Sequence, residues 1–315
     1  MTDVLSPGVG PVHMIYPYAD PEQYLDGTIA YIEQARAADA AVVIVTPQER
    51  RAQLSSRLGP DDSVKFMDTA SVTRSPRLLL PMWQEWIDHQ ADGRPVHGIN
   101  DTSWPTRGAA YDDETRYAEW LINRAFSKSP AWSLLCPVDT TLQSAPAIEA
   151  LTRCHPLVWS GTAQTASAEY ASDFYTCEQL VQPSATAEHL TYRIEDLAAV
   201  REMTGGWAAR IGLSAKRTAE LILAVNELAT NSIRYGGGSG TLLVWVQDNS
   251  IVCEVRDAGT ITDPLAGRLR PSPRQLGGRG LWYVYQIGDL VQLRSTPEEG
   301  TRIQLWVDLP THDGG

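Results

Sequence analysis

The hydrophobic pattern of this 315-residue chain changes character near residue 184. From about Val12 to Leu157, short apolar runs alternate with longer amphipathic stretches, which is typical of β-α units around a mainly parallel sheet. Beyond residue 184, helical patterns come first and strand patterns follow, which predicts an α+β sandwich with helices on one face of the sheet. The sequence therefore predicts two domains of different fold class.

A stretch rich in Ser, Thr and Ala separates the two patterns and shows little periodicity. The length of the chain also exceeds what one hydrophobic core comfortably serves. The predicted organisation is a tail over 1–9, an α/β domain over 10–160, a linker over 161–183, an α+β domain over 184–310 and a tail over 311–315.

Charge and cysteine content limit the classes of function. The formal net charge is −12, of which about −10 falls on the first 183 residues, so direct binding of nucleic acid is not expected. No basic leader or apolar run of membrane-spanning length occurs, so we expect a soluble, cytoplasmic protein without membrane contact. The four cysteines are scattered and form no C-x-x-C pair, which favours reduced thiols: Cys136, Cys154, Cys177 and Cys253.

Two polar residues lie one turn apart on a predicted helix that follows Ser214 and ends near Tyr235. Glu227 and Asn231 are four residues apart, so their side chains point the same way. The amide oxygen of Asn231 suits Mg²⁺, which prefers oxygen ligands together with waters and phosphates. Glu227 is suited to orient or deprotonate a nucleophile near a γ-phosphate. The alternative is an ordinary solvated helix face.

Two glycine-containing motifs follow this helix. Asp257-Ala-Gly259 closes a predicted strand, where the carboxylate can accept from an exocyclic amine and the glycine leaves room for adenine. The alternative is a simple Asp-x-Gly turn. The run Gly277-Gly-Arg-Gly280 precedes a predicted helix, whose free N–H groups and dipole bind phosphates. A flexible loop is the alternative, and neither the Walker A nor the G-x-G-x-x-G pattern occurs in the chain.

The order of these motifs is more informative than any one of them. A helix with Glu227 and Asn231, a strand ending in Asp257, glycines that open a helix, and Gly300-Thr301 before a last strand rarely occur together by chance. Over about 184–309 the chain resembles the Bergerat-fold (GHKL, HATPase) ATPases, and most of all their anti-sigma-factor kinase branch. The resemblance implies the cofactors ATP and Mg²⁺, with Glu227 as the catalytic or water-positioning carboxylate and Asn231 as the Mg²⁺ ligand. It implies nucleotide binding by Asn231, Asp257, Gly259, Gly277, Gly278, Gly280 and Thr301.

The resemblance also implies a function. Histidine kinases carry a phosphoacceptor histidine on a helical hairpin before the ATP domain, whereas His189 lies in a segment that reads as a first strand. We therefore expect a cytoplasmic anti-sigma factor with ATP-dependent Ser/Thr kinase activity, which binds a sigma factor and an antagonist protein and can form a homodimer. The alternatives are a non-catalytic ATP-gated binding switch, a histidine-kinase-like protein without its phosphoacceptor domain, and a sensory scaffold that binds no nucleotide.

The loop between the Asp257 strand and the glycine run is the expected lid over the nucleotide. It runs from Thr260 to Gln275, which is short for a lid. Its arginines are available to contact phosphates or a partner, and solvated loop arginines are the alternative. These arginines are Arg268, Arg270 and Arg274.

Four stretches of the first half resemble the MEDS sensory domain, which accompanies such ATPase modules in regulators. They are 12–16, 98–105, 118–126 and 134–139. The resemblance implies a RecA/KaiC-like sheet. The sequence departs from the family pattern at Asn100-Asp101, where an acidic Gly-Glu element is expected, at Tyr117, where a His is usual, and at Val138, where an aromatic is usual.

Three residues of the first half are candidates for a ligand or metal site. His13, Cys136 and His155 could converge, because strand ends gather at one edge of a parallel sheet. Roles in the core or in turns are favoured, because these dispersed residues lack the spacing of metal ligands.

Overall fold

The computed structural model describes residues 12–59, 63–69, 75–88, 93–101, 108–129, 132–172, 180–272 and 278–310. The predicted tails over 1–9 and 311–315 lie outside these residues. The chain divides into two compact units, Met1–Thr176 and Cys177–Gly315. In the described part of the chain, no helix combines the length and the apolar character needed to cross a bilayer.

The first unit contains a seven-stranded sheet. Its strands are β1 (Val12–Tyr18), β2 (Ala41–Thr46), β3 (Val64–Asp68), β4 (Val96–Asn100), β5 (Trp132–Asp139), β6 (Leu157–Trp159) and β7 (Gln164–Ala166). Their order across the sheet is β3-β2-β4-β5-β1-β6-β7. All neighbours are parallel except β6 and β7. Residues 42–46 of β2 are buried, as expected for a strand that helices cover on both faces.

Five helices of the described chain connect these strands, together with a 3₁₀ turn over Pro76–Leu78. Asp20 caps the first of them, because its side chain accepts from the backbone N–H of Gln23 at 2.9 Å. The fourth begins at Ala109, so Asp112 lies in its first turn, and Asp113 and Glu114 follow as buried residues. The helices are α1 (Pro21–Ala37), α2 (Gln48–Leu58), α3 (Leu79–Asp88), α4 (Ala109–Ala125) and α5 (Ala145–Cys154).

Strand β7 lies inside the segment 161–183 for which the sequence predicted a linker. It pairs antiparallel with β6 over three residues. A strand of this length shows no alternation of polar and apolar residues, so the sequence pattern gave no sign of it.

The second unit contains a five-stranded sheet in which every neighbouring pair is antiparallel. Its strands are β8 (Glu188–Tyr192), β9 (Gly240–Gln247), β10 (Ser250–Asp257), β11 (Leu290–Thr296) and β12 (Gly300–Asp308). Their order is β11-β12-β10-β9-β8. Asp248 and Asn249 both have positive φ, which is the conformation of a two-residue hairpin turn between β9 and β10. The predicted fold class of both domains is confirmed.

Helices α6 (Leu197–Arg210), α7 (Ala215–Tyr235) and α8 (Arg279–Ile287) form the helical layer of the second unit, after a 3₁₀ turn over Ile194–Asp196. Ser214 caps α7 as predicted, because its hydroxyl accepts from the backbone N–H of Arg217 at 3.3 Å. The apolar face of α7 packs into the core against residues of β9, β10 and β12. The core residues of this face are Leu221, Ala224, Val225, Leu228 and Ala229.

Candidate nucleotide-binding site

The final turns of α7 carry the first two predicted site residues. Glu227 and Asn231 are half-buried, and neither side chain forms a hydrogen bond with another described residue. Gly280, at the start of α8, lies against both: a Cβ built on it would overlap Glu227 Oε2 and lie 3.7 Å from Asn231 Nδ2. The structure therefore brings the α7 pair and the glycine of α8 together, with their polar atoms available to a ligand.

Asp257 ends β10, and its carboxylate is held on both sides. The hydroxyl of Ser232 donates to Oδ2 at 2.6 Å, and the backbone N–H of Gly259 donates to Oδ1 at 2.8 Å. Because one donor holds each oxygen, each oxygen keeps a second lone pair for another partner. The orientation of the carboxylate is therefore fixed before any ligand arrives.

Thr301 lies directly opposite Asp257 in the pairing of β10 with β12. Its hydroxyl donates to the backbone carbonyl of Gly259 at 2.9 Å and lies 2.8 Å from Ser295 Oγ. Ser295 also accepts from the backbone N–H of Ile261 at 2.7 Å. These bonds fix the Asp-x-Gly turn and the start of the following loop to the end of the sheet.

Two glycines permit a close approach between the end of α7 and the Asp257 turn. A Cβ on Gly236 would overlap the Asp257 carboxyl group. A Cβ on Gly259 would lie 2.7 Å from the Tyr235 carbonyl and 2.9 Å from Gly236 Cα. Both positions therefore require glycine. The sequence analysis identified Gly259 but not Gly236, whose close packing is visible only in the structure.

Sequence reasoning also missed two polar residues beside Asp257, of which Ser232 donates a hydrogen bond to it. Ser232 lies next to Asn231 but faces the sheet, and it is buried at 1% exposure. Tyr192 of β8 lies near the Ser232 hydroxyl and Asp257, and burial, with the charge of Asp257, raises its pKa to about 12. Its hydroxyl therefore stays protonated. The position of Ser232 directly after Asn231 could have suggested a role at this site. Nothing in the sequence connected Tyr192 to this site.

The helix α8 begins at the predicted glycine run. Gly278 is its N-cap and adopts the left-handed conformation, with φ of 73°. Gly277 and Arg274 lie outside the described residues. Gly280 places the N-terminus of α8 beside Glu227, where its free N–H groups favour an anion.

The described part of the predicted lid is fixed to α8. Arg268 is buried, and its guanidinium lies 4.8 Å from the centroid of the Tyr285 ring. Gly267, with φ of 74°, packs so closely on Leu281 that a Cβ would overlap it. Arg268 is therefore buried against an aromatic face and is not an ordinary solvated loop arginine.

The residues fit an adenine nucleotide and Mg²⁺. A preset carboxylate and a glycine lie at the end of β10, where a planar base with an exocyclic amine can be recognised. A carboxylate, an amide and a helix N-terminus lie between α7 and α8, where phosphates and a hard cation find suitable partners. The predicted residues Glu227, Asn231, Asp257, Gly259, Gly278, Gly280 and Thr301 thus form two groups on neighbouring elements.

The first unit contains a separate polar cluster. His13, Cys136 and His155 converge, and Glu119 of α4 joins them. All four side chains are buried. Burial lowers the pKa of both imidazoles to about 3 and raises the pKa of Glu119 and of Cys136 above the usual values. The convergence that the sequence disfavoured on grounds of spacing therefore occurs.

Comparison with known proteins finds a matching family for each half of the chain. Residues 12–156 match the family described as the MEthanogen/methylotroph, DcmR Sensory domain (MEDS). Residues 190–306 match the histidine kinase-like ATPase domain family. No curated protein sequence matches the chain.

Among solved structures, the chain is similar to the RsbU and RsbW domains of Rv1364c from Mycobacterium tuberculosis. The sequence identity is 19% and the TM-score is 0.31, and the match covers 40% of this chain and 33% of that one. The chain thus spans about a third of the length of that structure's chain.

Proposed function

From a chain in which a MEDS domain precedes a histidine kinase-like ATPase domain, we infer an ATP-dependent regulator that phosphorylates a partner protein. The second domain binds Mg-ATP and transfers a phosphoryl group to a Ser or Thr of an antagonist protein, and the first domain regulates this activity. The observation that carries the proposal is the convergence of Glu227, Asn231 and Gly280 beside the preset carboxylate of Asp257.

The Asp257 end of the site selects adenine. The carboxylate is an acceptor whose two oxygens are already oriented by Ser232 and Gly259, so it suits the exocyclic amine of adenine. Guanine presents a carbonyl oxygen at the corresponding position, and two acceptors repel. Thr301 stabilises the turn because its hydroxyl donates a hydrogen bond to the carbonyl of Gly259.

The α7–α8 end of the site acts on the phosphates. Asn231 supplies an amide oxygen for Mg²⁺, which when bound neutralises phosphate charge. Gly278 and Gly280 let the N-terminal N–H groups of α8 approach the phosphates without a side chain in between. Glu227 accepts the proton of the attacking hydroxyl, or orients that hydroxyl, one helical turn from the Asn231 amide.

The acceptor of the phosphoryl group is a residue on another protein. His189 lies on strand β8 and pairs with Leu243 of β9, so it is not on a helical hairpin. The described residues that precede β8 belong to the MEDS domain and the segment after it. We propose that the sequence resemblance to anti-sigma-factor kinases extends to partners: a sigma factor, an antagonist protein and a second copy of the chain, in the cytoplasm.

An ATP-gated binding switch is the second candidate function. The attachment of Arg268 to Tyr285 and of Gly267 to Leu281 favours it, because these contacts join the lid segment to α8. Nucleotide that binds at the N-terminus of α8 would then alter the surface formed by the lid. This function needs the nucleotide contacts but not the chemistry of Glu227.

Calorimetric titration tests the proposal. We expect the full-length protein to bind ATP in a Mg²⁺-dependent manner and to bind GTP at least about 100-fold more weakly, because guanine presents a carbonyl oxygen to Asp257 where adenine presents its amine. Transfer from γ-labelled ATP to candidate antagonist proteins tests the kinase activity. Absence of ATP binding would leave only the sensory scaffold, and binding without transfer would favour the switch.

A Gly280→Ala substitution tests the contact between α8 and Glu227. The added methyl displaces the carboxylate, so we expect ATP turnover to fall by about 10-fold or more, in the range typical of a misplaced general base. The fold tolerates the change, because the displaced atom is the end of a flexible side chain. The matched control is Gly206→Ala in α6, where a Cβ meets nothing within 4 Å. The control should gain about 0.5–1 kcal/mol of stability and keep its turnover, and equal turnover in both variants would contradict the assignment.

A further inference from the structure

A buried cluster in the MEDS domain brings four metal-binding side chains to one point. His13 is on β1, Cys136 on β5, Glu119 on α4, and His155 follows the last residue of α5. Each offers one ligand atom, and these atoms all lie within 4.8 Å of one another. None of these four residues takes part in the nucleotide site.

Four of the six separations between these atoms are close to the edges of a tetrahedral site, and the other two are at most 4.8 Å. His13 Nε2 lies 3.3 Å from Cys136 Sγ and 3.4 Å from Glu119 Oε2. Glu119 Oε2 lies 3.6 Å from Cys136 Sγ and 3.8 Å from His155 Nε2. A zinc ion with bonds of about 2.0–2.3 Å to nitrogen, oxygen and sulfur separates its ligands by about 3.3–3.6 Å. The cluster therefore needs little movement to surround such an ion.

The hydrogen bonds of the two imidazoles direct their lone pairs inward. His155 Nδ1 lies 2.7 Å from the Leu151 carbonyl, which can only accept, so Nδ1 carries the proton and Nε2 does not. His13 Nδ1 lies 3.2 Å from Asn123 Oδ1. Asn123 uses its amide nitrogen to donate to the backbone carbonyls of Trp120 and Cys154, which fixes its oxygen toward His13. Both Nε2 atoms are thus acceptors.

The other two ligands are held in the same way. Asn100 Nδ2 donates to Glu119 Oε1 at 2.9 Å, which leaves Oε2 facing the cluster. Metal-binding histidines and carboxylates are commonly oriented by such outer hydrogen bonds. His155 Nε2 is buried at 0% residue exposure and has no hydrogen-bond partner, and a buried acceptor without a partner is costly. A cation at the centre satisfies it and the three neighbouring acceptors.

We propose that His13, Glu119, Cys136 and His155 form a four-ligand Zn²⁺ site in the MEDS domain. The mixed nitrogen, oxygen and sulfur donors and the tetrahedral separations favour zinc over Mg²⁺ or Ca²⁺, which take oxygen ligands. Four protein ligands complete a tetrahedron, so the site is closed, and binding releases the proton of the Cys136 thiol. The ion ties β1, β5, α4 and the end of α5 together.

Metal analysis of the full-length protein, purified without a histidine tag or chelator, tests the site. We expect about one zinc per chain. After exchange for Co²⁺, we expect the strong visible absorption of a tetrahedral site and a thiolate-to-cobalt charge-transfer band. A protein that contains no zinc and takes up neither Zn²⁺ nor Co²⁺ from buffered solutions would overturn the proposal.

Variants separate the ligands from their surroundings. Cys136→Ser should lower zinc affinity by more than about 100-fold, and Asn123→Ala by about 10–100-fold, because Asn123 only orients His13. Cys154→Ser is the matched control, since Cys154 is equally buried but bonds to the carbonyls of Arg116 and Ala150. The control should keep zinc and the charge-transfer band. If Cys136→Ser does not fold, retention of the band in Cys154→Ser still supports the assignment, and its loss there would contradict it.

Discussion

The Glu227→Gln variant is expected to lose phosphoryl transfer by about 10²–10⁴-fold while it binds Mg-ATP with nearly unchanged affinity. The substitution keeps the shape of the side chain but removes the carboxylate that takes or orients the proton of the attacking hydroxyl. Asn231, Asp257 and the N-terminus of α8, which we propose to hold the nucleotide, remain in place. Transfer from γ-labelled ATP and calorimetric titration measure the two effects separately.

Glu220→Gln is the matched control for this experiment. Glu220 lies two turns earlier on α7 and pairs with Arg217 at 3.0 Å, away from the Gly280 contact. Loss of such a partly exposed ion pair costs at most about 1 kcal/mol, so transfer should continue. If Glu227→Gln keeps both transfer and regulation, Glu227 is not the catalytic carboxylate. If the parent protein transfers nothing and the variant regulates normally, the binding switch is the function.

The second large effect is expected for Asp257→Ala, which should lower ATP affinity by about 10–100-fold. A hydrogen bond to a charged group contributes about 1.5–3 kcal/mol, and the variant loses the acceptor for the adenine amine. It should also lose its preference for ATP over GTP, because that preference depends on the same carboxylate. Titration with both nucleotides measures this change.

The same substitution leaves Ser232 and the backbone N–H of Gly259 without their acceptor, so a loss of about 1–3 kcal/mol in stability accompanies it. Circular dichroism and the unfolding midpoint show whether the domain remains folded. Glu298→Ala, which removes an exposed carboxylate from the β11–β12 turn, is the control and should alter neither property. An Asp257→Ala variant that is folded and still prefers ATP would disprove the adenine contact.

Much of the fold follows from the sequence, because the spacing of hydrophobic residues indicates which face of a helix or strand is buried. Helix α7 begins after Ser214 and ends at Tyr235 as expected. Boundaries in segments with weak local signals cannot be derived in this way. Helix α4 begins after Gly108, whose positive φ of 106° gives no cue in a single sequence.

The sequence predicted most residues of the proposed nucleotide site, because they lie in a characteristic order along the chain. Glu227 and Asn231 share a helix face, and Asp257 and Gly259 share a turn. The supports of these residues could not be predicted. Ser232 and Asp257 are 25 positions apart, and Ser295 and Ile261 are 34 apart, so their contacts depend on how strands and helices pack.

The cluster of His13, Glu119, Cys136 and His155 in the first unit depends still more on tertiary structure. His13 and Cys136 are 123 positions apart and meet because β1 and β5 are neighbours in the sheet. Glu119 reaches them from a helix, and no spacing rule connects it with either strand.

By itself, the sequence determined the two fold classes, the order of the proposed nucleotide motifs, and the placement of Glu227 and Asn231 on one face of α7. These features depend on the spacing of hydrophobic residues and on the backbone preferences of individual residues. Both can be read from short stretches of sequence. Tertiary structure alone decided which polar groups hold Asp257, how Gly280 meets Glu227, and that His13, Glu119, Cys136 and His155 converge. Such contacts join residues far apart in the chain, and their geometry is set by sheet order and helix packing.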